Sequence, residues 1–230
     1  MRLFYDHFER LIQTLSEKQS ISICLTGGRS ADLLFNSSRF QALLSKRNFD
    51  VFWSDERVVS LESNFSNYKQ FLESSLGRKN FTHLNLFPLY DETFSFVDKS
   101  EEFASHFPCQ LDILLLSLGD DGHIASLFPH SAALNELVKK IVLVFDSPSF
   151  PSARYTITPP VILGARNIFL FVLGAQKASL LANIFDDSFQ INDYPVKLLK
   201  NAIFVLDEDA FDLLNCDLQE DLHRLNILKF

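Results

Sequence analysis

A short apolar run that ends in an abrupt glycine-rich turn constrains this chain more than any other stretch. Residues 113–118 read Ile-Leu-Leu-Leu-Ser-Leu, and Gly-Asp-Asp-Gly-His follows at 119–123. The run is too short to cross a membrane and is typical of a strand buried on both faces of a parallel sheet. Glycine and aspartate favour a sharp loop directly after it. Ligands of open α/β sheets bind beyond the carboxyl ends of strands, which makes His123 a candidate functional residue.

Taken alone, His123 has two interpretations. A histidine after a buried strand is often a capping residue at the edge of the core, and Asp-Asp-Gly is common turn chemistry. The alternative is a catalytic residue, because histidine is the side chain that exchanges protons near neutral pH. This stretch does not separate the two interpretations, so the rest of the chain has to decide between them.

Composition limits the class of protein and its partners. The chain has 230 residues, is 47% hydrophobic and carries a formal net charge of −8. We expect one α/β domain over residues 1–230, since this length can bury a sizeable core. No block of lysines or arginines occurs, so we expect no nucleic-acid and no membrane partner. An anionic ligand would need a few local cations.

The cysteines and the amino-terminal residues predict a cytoplasmic location. Cys24, Cys109 and Cys216 are far apart and odd in number, which indicates reduced thiols rather than a disulfide framework or a zinc site. Residues 1–15 carry charged residues between apolar ones, a pattern typical of an amphipathic helix and not of a signal peptide. The sequence offers no transmembrane candidate either.

Strand patterns alternate with helical patterns along the whole chain. Besides the central run, the sequence predicts strands at 21–26, 49–54, 141–145, 168–173 and, as the last, 202–206, with a short strand possible at 84–87. Helices are predicted at 1–15, 31–44, 67–76, 100–107, 175–185 and 210–214. The alternation favours an α/β fold, a doubly wound and mostly parallel sheet with helices on both faces.

Polar residues gather where several of these strands end. Glycine is scarce, with seven in the chain, yet Gly27 and Gly28 follow the first strand, and Arg29 comes next. A strand, a glycine loop and a helix present free N–H groups to an anion, although two glycines also make an ordinary turn. Asp55, Glu56 and Arg57 follow the second strand and form either a solvated turn or a set that binds a polar ligand.

Two further cations complete the set. Arg154 lies in a segment of its own, and Lys177 stands near the start of a helix after the strand at 168–173. Lys177 alone is equally compatible with a solvated helix surface. If parallel strands bring these ends to one edge, the result is a cationic pocket with one histidine, a composition suited to binding a sugar phosphate and transferring a proton.

These segments resemble the 6-phosphogluconolactonase family over roughly residues 25–195. The resemblance rests on several motifs in the expected order: Leu-Thr-Gly-Gly-Arg at 25–29, Ser-Asp-Glu-Arg-Val-Val at 54–59, Ser-Asn-Tyr at 66–68, Gly-Asp-Asp-Gly-His-Ile-Ala-Ser-Leu-Phe-Pro at 119–129, Arg-Tyr-Thr-Ile-Thr at 154–158 and Gly-Ala-Gln-Lys-Ala at 174–178. The chain departs from the family at Ser117 and His130, where the family usually has glycine, and at Ala31 and Ser60, where it often has proline. None of these departures removes a proposed chemical group.

The resemblance implies hydrolysis of 6-phospho-D-glucono-1,5-lactone to 6-phosphogluconate in the pentose phosphate pathway by a monomer, with no metal and no cofactor. His123 would act as the base on water, with Asp121 as its orienting neighbour. Arg57 or N–H groups of the 119–123 loop would stabilise the negative charge on the carbonyl oxygen. The phosphate and the rest of the substrate would be bound by Gly27, Gly28, Arg29, Asp55, Arg154 and Lys177.

Three alternatives remain on the sequence. An aminosugar-6-phosphate deaminase/isomerase shares the fold and an Asp-Gly-His-Ile-Ala segment, but that family continues with Phe-Asn-Glu-Pro and has tyrosine where this chain has Arg57. A catalytically silent sugar-phosphate-binding protein would need only the cations. A serine hydrolase is disfavoured because the chain has no Gly-x-Ser-x-Gly elbow.

Overall fold

A seven-stranded parallel sheet forms the centre of the computed structural model, which describes residues 2–79, 82–90, 98–186, 188–214 and 226–229. Its strands are β1 (Ile21–Leu25), β2 (Phe49–Trp53), β4 (Leu84–Phe87), β5 (Ile113–Ser117), β8 (Asn167–Val172), β9 (Ile203–Leu206) and β10 (Asn226–Lys229). They are arranged β10-β9-β8-β5-β1-β2-β4. The predicted parallel α/β sheet is confirmed.

The strand order reverses between β1 and β5. From β1 the chain adds β2 and β4 on one side, whereas β8, β9 and β10 extend the sheet on the other side of β5. Every residue of β1 is buried, as are the first four of β5, so both faces of the sheet are covered there. Such a reversal opens a crevice at the carboxyl ends of the two central strands, where ligands bind in folds of this kind.

Eight helices lie in the described ranges: α1 (Arg2–Thr14), α2 (Gly28–Phe35), α3 (Ser38–Leu44), α4 (Asn67–Glu73), α5 (Ser100–His106), α6 (Pro159–Gly164), α7 (Ala175–Phe185) and α8 (Glu208–Leu214). Short 3-10 turns span Gly77–Lys79, Ala132–Asn135 and Pro195–Leu199. Phenylalanine is abundant, and α1 packs Phe4 edge-on against Phe169 with ring centroids 5.4 Å apart. Within these ranges, no helix combines the length and the apolar character needed to cross a bilayer.

Two predicted boundaries were wrong. The single helix expected over 31–44 is two helices, because α2 ends at Phe35 and Ser37 caps α3 by accepting a hydrogen bond from the Phe40 N–H. The strand at 202–206 is not the last, because β10 pairs in parallel with β9 at the edge of the sheet. Asp207 does cap α8 as expected, with its carboxylate accepting from the Ala210 N–H at 2.9 Å.

A second, smaller sheet was not predicted. The strands β3 (Asp55–Arg57), β7 (Arg154–Ile157) and β6 (Ile141–Val144) form an antiparallel sheet in the order β3-β7-β6. Ser54 joins it to the parallel sheet, since its N–H donates to Leu25 of β1 and its carbonyl accepts from Ile157 of β7. The small sheet therefore lies beside the carboxyl end of β1, next to the crevice.

Candidate active site

The crevice contains a cavity of about 320 Å³ at the carboxyl ends of β1 and β5. Eight of the nine residues predicted for the site line it: Gly27, Gly28, Arg29, Asp55, Arg57, His123, Arg154 and Lys177. The ninth, Asp121, lies behind His123 and contacts its ring. The fold thus brings together polar groups from five separate segments, as the strand-end argument predicted.

His123 is held by the tight loop that follows β5. The Gly119 N–H donates to the His123 carbonyl at 2.9 Å, which closes the loop. A Cβ on Gly119 would stand 2.1 Å from the imidazole ring, so only glycine fits beneath it. Gly122 has a φ of +85°, a conformation that favours glycine. These two glycines explain why the turn has its Gly-x-x-Gly spacing.

Asp121 orients the imidazole from within the same loop. Its Oδ1 contacts His123 Nδ1 in a short hydrogen bond and accepts from the His123 N–H at 3.1 Å. Burial acts to raise the pKa of Asp121, but its hydrogen bonds with His123 outweigh burial and lower that pKa. The carboxylate therefore stays ionised and favours the proton on Nδ1, leaving the Nε2 lone pair to accept a proton.

Arg57 and Arg154 lie opposite each other in the antiparallel pairing of β3 with β7. Arg57 Nη1 donates to the Phe65 carbonyl at 2.7 Å, while its Nε is buried and makes no hydrogen bond to any residue that the structure describes. Arg154 is buried; its Nε donates to the Pro151 carbonyl at 3.1 Å and its Nη2 to Ser149 Oγ at 2.8 Å. Burial, and then the charge of Arg57, lower the pKa of Arg154.

Asp55 and Glu56 are buried rather than solvated. Asp55 Oδ2 accepts from Ser126 Oγ at 2.6 Å and lies 4.0 Å from Arg154 Nη1.

The Glu56 carboxylate accepts from the N–H groups of Asn67 and Tyr68 in the first turn of α4. Burial raises the pKa of Glu56 to about 7, although these backbone hydrogen bonds act to lower it. The interpretation of residues 55–57 as a solvated turn was therefore wrong.

The glycine loop after β1 is constrained by α4. A Cβ on Gly27 would collide with the Asn67 side chain at 2.0 Å. The Gly28 N–H donates to Gln70 Oε1 at 3.1 Å, and Gln70 Nε2 donates back to the Gly28 carbonyl at 2.9 Å. The Gly28 amide expected to receive phosphate is thus already bonded. The side chain of Arg29, in the first turn of α2, is exposed and forms no ion pair within the described ranges.

Lys177 connects α7 to the loop that carries His123. Its Nζ donates to the Leu118 carbonyl and lies 3.4 Å from Asp120 Oδ1. Its side chain is 13% exposed, so it is not the solvated surface lysine of the alternative interpretation. Across the ranges that the structure describes, no three His, Cys, Asp or Glu side chains are grouped as metal ligands.

Sequence reasoning did not identify several residues of this site. Ser126 and Gln70 act through partners 71 and 42 residues away in the sequence, and no local pattern indicates such contacts. Ser117, noted only as a departure, lines the cavity and shares a hydrogen bond of 2.9 Å with Thr26. The sequence predicts Asn67 as part of a helix cap, and the structure shows that its side chain also donates to the Asp55 carbonyl at 2.9 Å. Its signal was the Ser-Asn-Tyr motif.

Several known proteins with similar sequences are named 6-phosphogluconolactonase. The chain is 34% identical to a 6-phosphogluconolactonase of Borreliella burgdorferi over 86% of this chain and 85% of the relative. It is 31% identical to a 6-phosphogluconolactonase of Synechocystis over 87% of this chain and 88% of the relative. The expected resemblance is confirmed over most of the length.

Solved structures agree with these relatives. The fold matches the 6-phosphogluconolactonase of Trypanosoma brucei with a TM-score of 0.75 and 25% identity, covering 91% of this chain and 92% of that one. The enzyme of Trypanosoma cruzi matches with a TM-score of 0.76, also at 25% identity, over 92% and 91% of the two chains. A family model described as "Glucosamine-6-phosphate isomerases/6-phosphogluconolactonase" matches residues 2–205. The chain therefore belongs to the glucosamine-6-phosphate isomerase/6-phosphogluconolactonase family.

Proposed function

We propose that this protein hydrolyses 6-phospho-D-glucono-1,5-lactone to 6-phosphogluconate, the reaction of the oxidative pentose phosphate pathway for which its relatives are named. The observation that carries the proposal is the combination of an Asp-oriented histidine and two opposed arginines in one cavity. A lactone ester is already reactive, so its hydrolysis requires a placed base and stabilisation of one negative charge.

In the proposed mechanism, Nε2 of His123 removes a proton from a water molecule as the water oxygen attacks the lactone carbonyl carbon. The carbonyl oxygen becomes negatively charged in the tetrahedral intermediate. When that intermediate collapses, the bond from the carbonyl carbon to the ring oxygen breaks, and His123 returns the proton to the ring oxygen. Asp121 keeps the imidazole in the tautomer that this cycle requires.

We assign stabilisation of the carbonyl oxygen to Arg57. The other candidates are the N–H groups of the 119–123 loop; those of Gly119, Gly122 and His123 donate within the loop, which leaves those of Asp120 and Asp121 for a ligand. Arg57 has a buried Nε with no acceptor among the described residues. A donor that is already desolvated and unpaired gains most from a developing negative charge.

We assign the phosphate to Arg29 and Arg154, with Lys177 adding positive charge nearby. The N–H groups of Arg29 and Ser30 in the first turn of α2 have no partner within the described ranges, which supports an anion at this helix end. Gly28 contributes its positive φ of 71° to the turn rather than its N–H. Gly27 leaves room for Asn67, and Asp55 holds Ser126 and Arg154 in place.

Initial rates with freshly prepared 6-phosphogluconolactone test the proposal. A blank without enzyme corrects for spontaneous opening, and His123→Ala should lower kcat by about 10²- to 10⁴-fold while 6-phosphogluconate still binds. His130→Ala is the matched control, because His130 is 74% exposed on the same segment and should keep wild-type rates.

Three outcomes would overturn parts of the proposal. A wild-type rate equal to the blank, with 6-phosphogluconate bound, would indicate a silent sugar-phosphate-binding protein. Release of ammonia from glucosamine 6-phosphate instead of lactone hydrolysis would indicate the deaminase activity. Full activity in His123→Ala would transfer the role of the base to another residue.

A further inference from the structure

Two exposed phenylalanines meet beside the cavity although they belong to different loops. Phe65 is 44% exposed and Phe150 is 77% exposed, yet their rings pack edge to face with centroids 5.3 Å apart and planes at 80°. We infer that the Phe65–Phe150 contact positions Arg57 and Arg154 for the reaction, because it joins the two loops that hold their guanidinium groups. This inference rests on the proposed function of the two arginines.

The first loop holds Arg57 through the same residue that supplies the ring. The Phe65 carbonyl accepts the hydrogen bond from Arg57 Nη1 at 2.7 Å. The Phe65 N–H donates to Ser63 Oγ at 3.2 Å, which fixes the peptide on the other side of the residue. A displacement of the Phe65 ring therefore changes the position of the carbonyl that orients Arg57.

The second loop holds Arg154 through the two residues that flank Phe150. Pro151 and Ser149, the two neighbours of Phe150, accept hydrogen bonds from Arg154 Nε and Nη2 at 3.1 and 2.8 Å. The guanidinium of Arg154 lies over the ring of Phe128, 5.3 Å from its centroid, whereas the Phe150 ring packs on Phe65. The ring is thus placed to anchor the segment rather than to touch a substrate.

The two arginines need such an anchor because their charges repel each other. They are direct partners in the register of β3 with β7, and like charges in that arrangement are unfavourable. β3 has only three residues, so its pairing alone gives little resistance to displacement. Fixed donors stabilise a developing charge best when they need no rearrangement. A contact between the loops keeps both guanidinium groups facing one cavity despite the repulsion.

A double-mutant cycle in kcat/KM tests the inference. Phe65→Ala and Phe150→Ala should each lower kcat/KM for 6-phosphogluconolactone by about three- to tenfold, the range expected for one aromatic pair. The kcat/KM of the double variant should be no lower than that of the less active single variant, because either substitution alone already removes the contact. Phe150→Tyr should retain most of the activity. Phe145→Ala, which removes a phenylalanine that is 66% exposed elsewhere, should match wild type.

Hydrogen exchange tests the same contact without a substrate. In Phe65→Ala, the amides of residues 149, 150, 152 and 153 should exchange faster, and in Phe150→Ala those of residues 63–67 should do so. Phe145→Ala should change neither segment. The inference would be overturned if both segments exchanged at wild-type rates in the two variants. It would also be overturned if the kcat/KM losses of the single variants multiplied in the double variant. If wild type fails to hydrolyse the lactone but the exchange effects appear, the proposed function fails while the coupling of the loops stands.

Discussion

Arg57 and Arg154 are direct register partners across two antiparallel strands, with both side chains lining one cavity. Residues that lie opposite each other in such a pair project from the same face of the sheet, and two cations in this position repel. Asp55 offsets part of the repulsion from 4.0 Å away. The repulsion between the two guanidinium groups destabilises the folded chain when no ligand is bound. An anion bound between them relieves that repulsion.

The two arginines should respond differently to removal of the substrate phosphate. Arg154→Ala should lower kcat/KM for the phosphorylated lactone by about 10- to 100-fold, as expected for a charged hydrogen bond, and change that for glucono-1,5-lactone little. Arg57→Ala should lower both by similar factors, about 10²- to 10³-fold, since both substrates have the carbonyl. Equal losses for both lactones in Arg154→Ala would remove Arg154 from the phosphate site. Thermal unfolding of each variant controls for loss of fold.

Glu56 should make stability depend on pH near neutrality. Burial raises the pKa of its carboxyl from 4.5 to about 7, so the folded chain holds this proton more tightly than the unfolded chain. The stabilisation is complete below pH 4.5 and is lost as pH rises through 7, by about 3 kcal/mol in all. Wild type should therefore lose most of that amount relative to Glu56→Gln between pH 5 and 9 in urea unfolding. A pH-independent difference would contradict the shift.

Ser117 should stabilise the floor of the cavity through its hydrogen bond to Thr26. Ser117→Ala should cost about 1 kcal/mol of unfolding free energy, the usual net value of one hydrogen bond. Ser117→Gly should cost about 0.5–1 kcal/mol more, because glycine loses more backbone entropy on folding. Urea unfolding of the two variants separates the contribution of the hydrogen bond from that of backbone entropy. A Ser117→Gly variant as stable as wild type would contradict both contributions.

His130 should be destabilising where it stands. Its φ is +62°, a left-handed conformation that costs residues other than glycine about 1–2 kcal/mol. His130→Gly should therefore raise the unfolding free energy by about 0.5–1 kcal/mol after the entropy cost of glycine, and raise Tm by about 1–4 °C. His130→Ala keeps the strained backbone and should show no gain. A lower Tm for His130→Gly than for His130→Ala would exclude this account.

Most strands of the parallel sheet could be predicted because they are short apolar runs. Such runs are visible in the local sequence without knowledge of distant contacts. β5 is buried on both faces and reads almost entirely as leucine and isoleucine, which is typical of such strands. The small sheet could not be predicted in the same way. β3 consists of Asp, Glu and Arg, and its pairing partner β7 (Arg154–Ile157) lies about a hundred residues further along the chain.

The position of the cavity was predictable, but its internal bonding was not. Strand ends of a parallel sheet meet at one edge, so residues such as His123 and Lys177 were expected together. That Lys177 bonds to Leu118, or that Gln70 occupies the Gly28 amide, depends on side-chain packing between separate helices. Sequence pattern carries no record of such pairings. The break before α3, by contrast, had a signal in Ser37, a good capping residue.

Gly119 shows that an active site is also defined by space that must stay empty. It carries no group that could bind or react, yet the imidazole of His123 rests where its side chain would be. A single methyl group at this position would displace the ring while leaving every polar atom of the cavity in the chain. A search for functional residues guided only by chemical reactivity would pass over Gly119, although the shape of this active site depends on it.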